Sequence, residues 1–264
     1  MMQPLPNAAE ADLARAIRLI GAAGFEAALQ RWLHRCVAPD NLIVLAYRDA
    51  GPPQVFFRQS AQPMVFAALD DTYLAGAYLL DPYHDLHVMR VPAGAYRLRD
   101  IAPDAFHRSR YFSDYYRQTT LLDEVTFIAW PAAAVSLNIC LGRDESSGQP
   151  FTAREVEICQ RLAPIVIALA EAHWSGLAAE TGAADDVTGH LIGAAARAHG
   201  IRLSPRQAEV ALMILRGHST VSIGLRLGLS AQTVKVFRRQ LYARCAISSQ
   251  AELFALMLPL LRAV

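Results

Sequence analysis

The sequence almost lacks lysine. Of its 25 basic residues 24 are arginine, and Lys235 is the one lysine among 264 residues. The first 234 residues therefore cannot carry a Walker-type phosphate-binding loop, whose lysine contacts the phosphates. They also cannot form a Schiff base, which needs an amine nucleophile. A phosphoacceptor receiver domain of two-component signalling is excluded as well, because it uses a lysine.

Signatures of metals, export and catalysis are also absent. The four cysteines form no CxxC or CxH pair, so they predict buried side chains in a reducing compartment. The N-terminus has no signal-peptide pattern, and no apolar run reaches bilayer length. There is no GxSxG, HExxH or kinase-like set. We expect a cytoplasmic protein that makes no membrane contact, is not an enzyme and has no cofactor or metal. The spacing of one polar cluster matches no metal motif: Asp81, His84, Asp85 and His87.

Charge divides the chain into two unlike parts. Residues 1–202 carry a net charge of −5 and residues 203–264 a net charge of +6, so the overall +1 is a cancellation. Such a basic C-terminal segment indicates a nucleic-acid partner for that part alone.

The N-terminal part, residues 1–174, has the pattern of an α+β sensor domain, an antiparallel sheet flanked by helices of GAF or PAS type. A Gly- and Ala-rich stretch, 175–200, predicts a linker, in part helical. Periodicity and turn signals give the elements. The expected helices are 8–37, 64–80, 104–118 and one from Thr152, and the expected strands are 41–48, 54–58, 124–130 and 133–141.

Residues 201–264 have the pattern of an all-α, four-helix domain that contains a helix-turn-helix. Ser204, Ser219 and Ser230 can each cap a helix, and Gly217 and Gly228 follow helices as C-terminal glycines do.

The third of these helices has two faces. An apolar stripe includes Val234 and Leu241, and the opposite face is polar. Lys235 and Arg239 can reach guanine edges or phosphates, and Val236 can contact a thymine methyl. A solvated charged face is the alternative, but the caps, the turn and the local charge argue against it. The predicted DNA-binding residues are Ser230, Gln232, Thr233, Lys235, Val236, Arg238, Arg239 and Tyr242.

The last segment, 251–261, is apolar almost all round, which predicts a second buried face. The simplest partner is a second copy of the chain. Burial against the N-terminal domain is the alternative. The predicted dimerisation residues are Leu253, Phe254, Met257 and Leu258.

Residues 203–261 resemble the DNA-binding domain of LuxR/FixJ-type transcription regulators. The resemblance implies that Lys235, Val236 and Arg239 face the major groove, that Thr233 and Arg238 lie near phosphate, and that the last helix dimerises. This sequence departs from the family pattern at Ser222, Phe237 and Gln250. The matching residues are Leu203, Arg206, Glu209, Val210, Gly217, Ser219, Ile223, Leu227, Leu229, Ser230, Thr233, Val234, Lys235 and Leu241.

Residues 75–82 (AGAYLLDP) resemble the Tyr-x-x-Asp-Pro region of acyl-homoserine-lactone receptors, the quorum-sensing LuxR type. The resemblance implies an autoinducer-binding fold in which Asp81 accepts a hydrogen bond from a ligand amide. The tryptophans that such receptors place around the lactone are absent, which points to an orphan ("solo") regulator with another ligand. Ordinary packing and a turn-closing role for Asp81 are the alternatives. The predicted ligand residues are Tyr73, Tyr78, Asp81, Tyr96 and Tyr111.

We therefore expect a homodimeric transcription regulator that binds double-stranded promoter DNA, with RNA polymerase as a possible partner and a small molecule as effector. The alternative is an orphan regulator or adaptor that is controlled by protein–protein contacts and has no ligand.

Overall fold

The computed structural model describes residues 8–177 and 186–261. Its N-terminal part is built on one antiparallel sheet with the strand order β2-β1-β5-β4-β3. The strands are β1 (Asn41–Arg48), β2 (Gln54–Ser60), β3 (Gly94–Arg97), β4 (Leu121–Ala132) and β5 (Val135–Asp144). Successive side chains of a strand point to opposite faces. Val44 accordingly joins the core on one face, and Leu45 and Tyr47 join the core on the other.

Three long helices cover the first face: α1 (Ala9–Arg18), α2 (Phe25–Val37) and α6 (Ala153–His173). The large buried side chains here include Phe25, Trp32 and Phe127. The predicted capping box of α6 is confirmed, because Thr152 accepts from the backbone N–H of Glu155 and Glu155 bonds back to the backbone of Thr152.

The second face carries short elements rather than long helices. They are α3 (Pro82–Val88), α4 (Leu98–Ile101), α5 (Arg110–Asp114) and the 3₁₀ or π turns at Pro63–Phe66, Leu69–Tyr73, Ala77–Leu80, Phe106–Arg108 and Tyr116–Thr119. These segments place many tyrosines against the sheet. They also form the surface of the N-terminal part that contacts the C-terminal domain.

The C-terminal domain consists of α7 (Val187–His199), α8 (Pro205–Arg216), α9 (Thr220–Leu227), α10 (Ala231–Cys245) and α11 (Gln250–Leu261). Its apolar side chains are continuous with those on the second face of the sheet. One cluster of buried residues runs from Tyr78 and Phe106 of the N-terminal part to Leu212, Leu253 and Met257 of the C-terminal part. No helix in the two described ranges is long and apolar enough to cross a membrane.

Several predicted elements differ in detail. The helix predicted over 8–37 is divided into α1 and α2, because Gly21 and Gly24 adopt left-handed backbone angles between them. The helix predicted over 64–80 is a series of short turns, since the polar residues 70–72 interrupt its apolar stripe. The predicted helix 104–118 is likewise broken around α5.

The predicted linker contains more helix than its composition indicates. Residues 187–199 of this stretch form α7, which is capped by Asp186 and buries Leu191 and Ala195 in the C-terminal domain. Residues 178–185 lie outside the described residues. The domain boundaries themselves stay a prediction.

Candidate functional site

The polar face of α10 is the first part of the site. Ser230 caps the helix by accepting from the backbone N–H of Thr233 at 3.0 Å, and the hydroxyls of these two residues also bond to each other at 2.8 Å. Val234 and Leu241 anchor the opposite face in the core. The cap and the core contacts therefore fix which way the helix turns its polar face.

Most of the predicted DNA-binding side chains lie on this open face. Gln232, Lys235 and Arg239 are exposed, and Val236 is half-buried. Within the described residues, neither Lys235 nor Arg239 forms an ion pair with a carboxylate. Two cationic groups one helical turn apart thus remain available for an anionic partner.

Arg238 and Tyr242 differ from the rest of the predicted set. The Arg238 guanidinium lies 5.1 Å from the centre of the Tyr242 ring. The ring packs against the core and its hydroxyl is buried, so the structure does not present Tyr242 to a groove. Arg238 also borders a cleft of about 310 Å³ between the two domains, opposite Arg108.

The departures at Ser222, Phe237 and Gln250 have structural roles. Ser222 bonds through its hydroxyl to the ring of His218 at 2.9 Å. Phe237 packs against the core of the domain. Gln250 donates to the carbonyl of Ile214 at 3.2 Å. These three positions support the helix packing and are not part of the open face of α10.

The two domains meet through specific polar contacts. Arg216, at the end of α8, pairs with Asp85 of α3 at 2.9 Å and donates to the carbonyl of Leu79 at 3.1 Å. On the other side, the backbone N–H of Ser219 at the start of α9 donates to the Asp104 carboxylate at 2.9 Å. Partial burial opposes the shift, but the hydrogen bonds from Ser219 hold the pKa of Asp104 below its ordinary value of 3.8.

Gly217 lies at the centre of this contact. It ends α8 in a left-handed conformation, with φ at 93°. Its carbonyl accepts from the backbone N–H of Ala105 at 3.0 Å, and a Cβ at this position would lie 2.8 Å from the Cα of Phe106. A glycine is therefore required here both for the helix end and for the approach of the other domain.

Most of the predicted dimerisation residues are buried by other parts of the same chain. Leu253, Phe254 and Met257 are buried, and Leu258 is half-buried. Their helix, α11, packs against α7 and α8 of its own domain and against α5 of the N-terminal domain. In this conformation the same chain covers Leu253, Phe254 and Met257, and only Leu258 is partly accessible to a second copy.

A tyrosine-lined cavity is the second part of the site. It has a volume of about 60 Å³ and lies between the sheet and the short elements of the second face. Of the five predicted ligand residues, Tyr73, Asp81 and Tyr111 line it. Strands and turns far apart in sequence contribute the other lining residues, which include Tyr47, Tyr83, Tyr115, Tyr116, Glu124 and Cys140.

Tyr78 and Tyr96 do not line this cavity. Tyr78 is buried beside His84, with ring centres 5.3 Å apart. Tyr96 is on β3 at the sheet edge, and its hydroxyl donates to the carbonyl of Pro92 at 2.7 Å. Each points elsewhere because it lies on a different element from the residues that surround the cavity.

Asp81 holds the cavity wall and the next helix together. One oxygen of its carboxylate accepts from the Tyr73 hydroxyl at 2.7 Å, and the other caps α3 through the backbone N–H of Tyr83 at 2.8 Å. Tyr73 in turn forms a short hydrogen bond to Tyr47. Asp81 thus closes the turn before α3 and also lines the cavity, while its hydrogen bond to a ligand amide stays a prediction.

Burial dominates the electrostatics of the cavity. Desolvation raises the pKa of Asp81 to about 6, although the hydrogen bonds from Tyr83 and Tyr73 oppose the shift. Desolvation, reinforced by the charge of Asp81, raises the pKa of Glu124 to about 8. Both buried carboxyl groups therefore take up a proton more readily than exposed ones do. The Glu124 carboxyl accepts a hydrogen bond from Thr126 at 3.2 Å. Across the part of the chain that the structure describes, no cluster of side chains is arranged to hold a metal ion.

Comparisons with known proteins find relatives of the C-terminal domain and of the N-terminal α+β part. Residues 202–257 match the family described as bacterial regulatory proteins, luxR family. A putative HTH-type transcriptional regulator from the exeN 3′ region of Aeromonas salmonicida is 29% identical over 184 residues, which cover 67% of this chain and 93% of that protein.

Solved structures are similar at lower identity. The LBD domain of VqsR from Pseudomonas aeruginosa is 21% identical with a TM-score of 0.55, over 65% of this chain and 99% of that chain. SdiA from Escherichia coli is 14% identical with a TM-score of 0.44, over 94% of this chain and 96% of that chain. The likeness to VqsR shows a shared fold for the α+β part. The C-terminal domain belongs to the LuxR family, and the chain is a transcriptional regulator with a helix-turn-helix of that family.

Proposed function

We propose that the protein acts in the cytoplasm as a homodimer on a two-fold-symmetric promoter site, under the control of a small molecule in the tyrosine-lined cavity. The observation that carries the DNA-binding part is the open face of α10, where Gln232, Lys235 and Arg239 are exposed in a domain of the LuxR family. A major groove admits a helix of this kind, and unpaired cations favour the phosphate backbone.

Salt dependence tests this function directly. The probe is a labelled duplex selected by the full-length protein from a random-sequence library. Because binding to DNA releases counterions, we expect the dissociation constant to rise linearly with salt concentration on logarithmic axes. Fluorescence anisotropy over a salt series measures the slope. Failure to select any duplex, or binding with no salt dependence, would contradict the proposal and favour an adaptor.

The route from cavity to DNA would pass through α3. Asp81 lines the cavity and caps α3, and Asp85, one turn later, pairs with Arg216 of α8. A ligand that engages Asp81 would compete with the hydrogen bond to Tyr83 and disturb the start of this helix. In this proposal, the pair between Asp85 and Arg216 transmits the change to the helix-turn-helix domain.

In the structure the C-terminal domain lies against the N-terminal domain, an arrangement that we call the docked state. In this proposal, the contact of Asp104 with α9 lowers the affinity of the docked state for DNA. The first helix of a helix-turn-helix crosses the DNA backbone, and helix N-termini favour phosphate. Asp104 already occupies the backbone N–H of Ser219 at the start of α9. We propose that its carboxylate competes with a DNA phosphate, so that docking holds the regulator in a state of low affinity.

Removing this carboxylate should strengthen DNA binding. For Asp104→Ala we expect an affinity for the selected duplex about fivefold higher or more, a value typical of coupling between two sites. Asp100→Ala is the matched control, because Asp100 is exposed nearby and no hydrogen bond joins it to α9 within the described residues. Equal affinities of Asp104→Ala and the wild type in anisotropy titrations would reject the competition.

Dimerisation through α11 fits the same scheme. Leu253, Phe254 and Met257 are buried by α7, α8 and the N-terminal domain in the docked state. We propose that they meet a second copy only after the C-terminal domain leaves the sensor. Contact with RNA polymerase stays a prediction.

One observation favours a second candidate function, a regulator or adaptor without a ligand. The cavity of about 60 Å³ is far below the roughly 300–1,000 Å³ of ordinary ligand pockets. Six tyrosines are among the residues that line it. In that case protein–protein contacts, rather than a small molecule, would separate the two domains.

A further inference from the structure

We propose that the tyrosine-lined cavity recognises a small organic cation, a short alkylammonium group, held between Glu124, Asp81 and the surrounding tyrosine rings. The inference deepens the proposed control by a small molecule and rests on it. It specifies the charge and size of the ligand.

The composition of the wall is the first support. Two carboxylates and six tyrosines face the same small space. None of the described residues that line it is Arg, Lys or His, so no side chain of the wall supplies a positive charge. Aromatic rings attract cations through their negative faces, and rings combined with carboxylates form the usual cage for alkylammonium groups.

Other buried carboxylates among the described residues are satisfied in two ways. Asp123 is paired with Arg97 and Asp85 with Arg216. Asp144 has no ion pair in the described parts of the chain and accepts hydrogen bonds from the Asn41 amide and the backbone N–H of Ser146. Within residues 8–177 and 186–261, neither Asp81 nor Glu124 has an ion pair. A buried carboxylate either is compensated by a positive group or takes up a proton, so a bound cation would favour the ionised form of Glu124. A cation that enters the cavity would supply the ion-pair partner that Asp81 and Glu124 lack.

Hydrogen bonding also leaves room for a donor. The hydroxyl of Tyr116 is buried and has no hydrogen-bond partner in the described structure, although its residue lines the cavity. An alkylammonium group carries up to three donors and no acceptor. Glu124, Asp81 and the Tyr116 oxygen line the same cavity and are the acceptors available to it. A neutral ester or lactone has acceptors only at its polar end and would leave both carboxyl groups without a new donor.

Cavity size limits the ligand. A volume of about 60 Å³ admits a small head group, whereas a long acyl chain would require the tyrosine rings to move apart. The wall beside the carboxylates contains aliphatic side chains, among them Ile43, Leu45 and Leu121, which suit a short alkyl part. Methylamine to butylamine are therefore the appropriate probes.

Calorimetric titration of the full-length protein tests the inference. The probes are methylamine, propylamine and butylamine, each compared with the alcohol of the same chain length, which has similar volume and no charge. We expect the amines to bind about tenfold more tightly than the alcohols, as charge-assisted hydrogen bonds and cation–π contacts require. Equal binding of amines and alcohols, or binding of the alcohols alone, would overturn the inference.

Substitutions locate the binding. Glu124→Gln should lower the affinity for propylamine about tenfold, and Tyr116→Phe should lower it by a smaller factor. Glu145→Gln is the matched control, because Glu145 is exposed and does not line the cavity. Thermal unfolding checks that each variant folds. If Glu124→Gln does not fold, the affinity of Tyr116→Phe for propylamine still tests the inference. Unchanged affinity in the folded variants would overturn the inference.

DNA binding provides the separate readout for the proposed function. If the amines bind through Glu124 but leave the affinity for the selected duplex unchanged, the ligand class stands and the control by that ligand fails. If a neutral molecule shifts DNA affinity and the amines do not bind, control by a small molecule stands and the cationic ligand is rejected.

Discussion

Replacing Lys235 and Arg239 together with alanine is expected to abolish specific DNA binding at moderate salt. Each side chain is exposed on one stripe of α10 without an acidic partner in the described chain. A base contact or phosphate contact of this kind contributes about 1–3 kcal/mol. Since the two residues are separate cations, the double variant should lose more than either single variant.

Anisotropy titrations with the selected duplex divide this loss of affinity into a part from phosphate contacts and a part from base contacts. A phosphate contact lowers affinity for all sequences and reduces the salt slope by about one, whereas a base contact relaxes specificity at one position. Arg161→Ala is the matched control, because Arg161 is an exposed arginine on α6 of the N-terminal domain. Specific binding by the double variant with an unchanged slope would show that α10 is not the reading element.

The largest effect on stability is expected from Asp123→Ala. Asp123 is 5% exposed and pairs with Arg97, which is 9% exposed, and its carboxylate also accepts from the backbone N–H of Phe151 at 3.0 Å. Arg97 donates to the carbonyl of Phe151 at 2.8 Å. The pair thus joins β3, β4 and the start of α6. Removing one partner leaves a buried charge alone, which costs about 3–5 kcal/mol.

Chemical denaturation measures this loss as a lower midpoint. Asp70→Ala is the matched control, because the pair of Asp70 with Arg58 is exposed to solvent and such pairs contribute at most about 1 kcal/mol. Equal destabilisation by the two substitutions would mean that the buried position of Asp123 has no special effect. Asp123→Asn, which keeps the shape but not the charge, should lie between them.

The helix-turn-helix domain was predictable because its signals are local. The caps at Ser204, Ser219 and Ser230 are confirmed by hydrogen bonds to residues three positions later. Capping, helical periodicity and net charge all depend on neighbours in the sequence. The open face of α10 could be identified for the same reason, although the burial of the Tyr242 hydroxyl depends on packing that periodicity does not reveal.

The cavity and the interface between domains could be predicted only in part. Tyr73 and Asp81 lie beside or within residues 75–82, the segment whose resemblance pointed to them, but Tyr47 and Glu124 come from β1 and β4. Strand pairing brings these residues together, and a single sequence does not specify it. β3 was missed because four residues are too few to show alternation.

The core that is shared by the two domains has a consequence for their modularity. Because buried side chains run without interruption from the tyrosine segment to α11, the chain should unfold in one cooperative transition. An isolated C-terminal fragment would expose the faces of α8 and α11 that now contact the N-terminal domain. Exchange of the N-terminal domain for that of another regulator should likewise succeed only if the new domain covers the same faces.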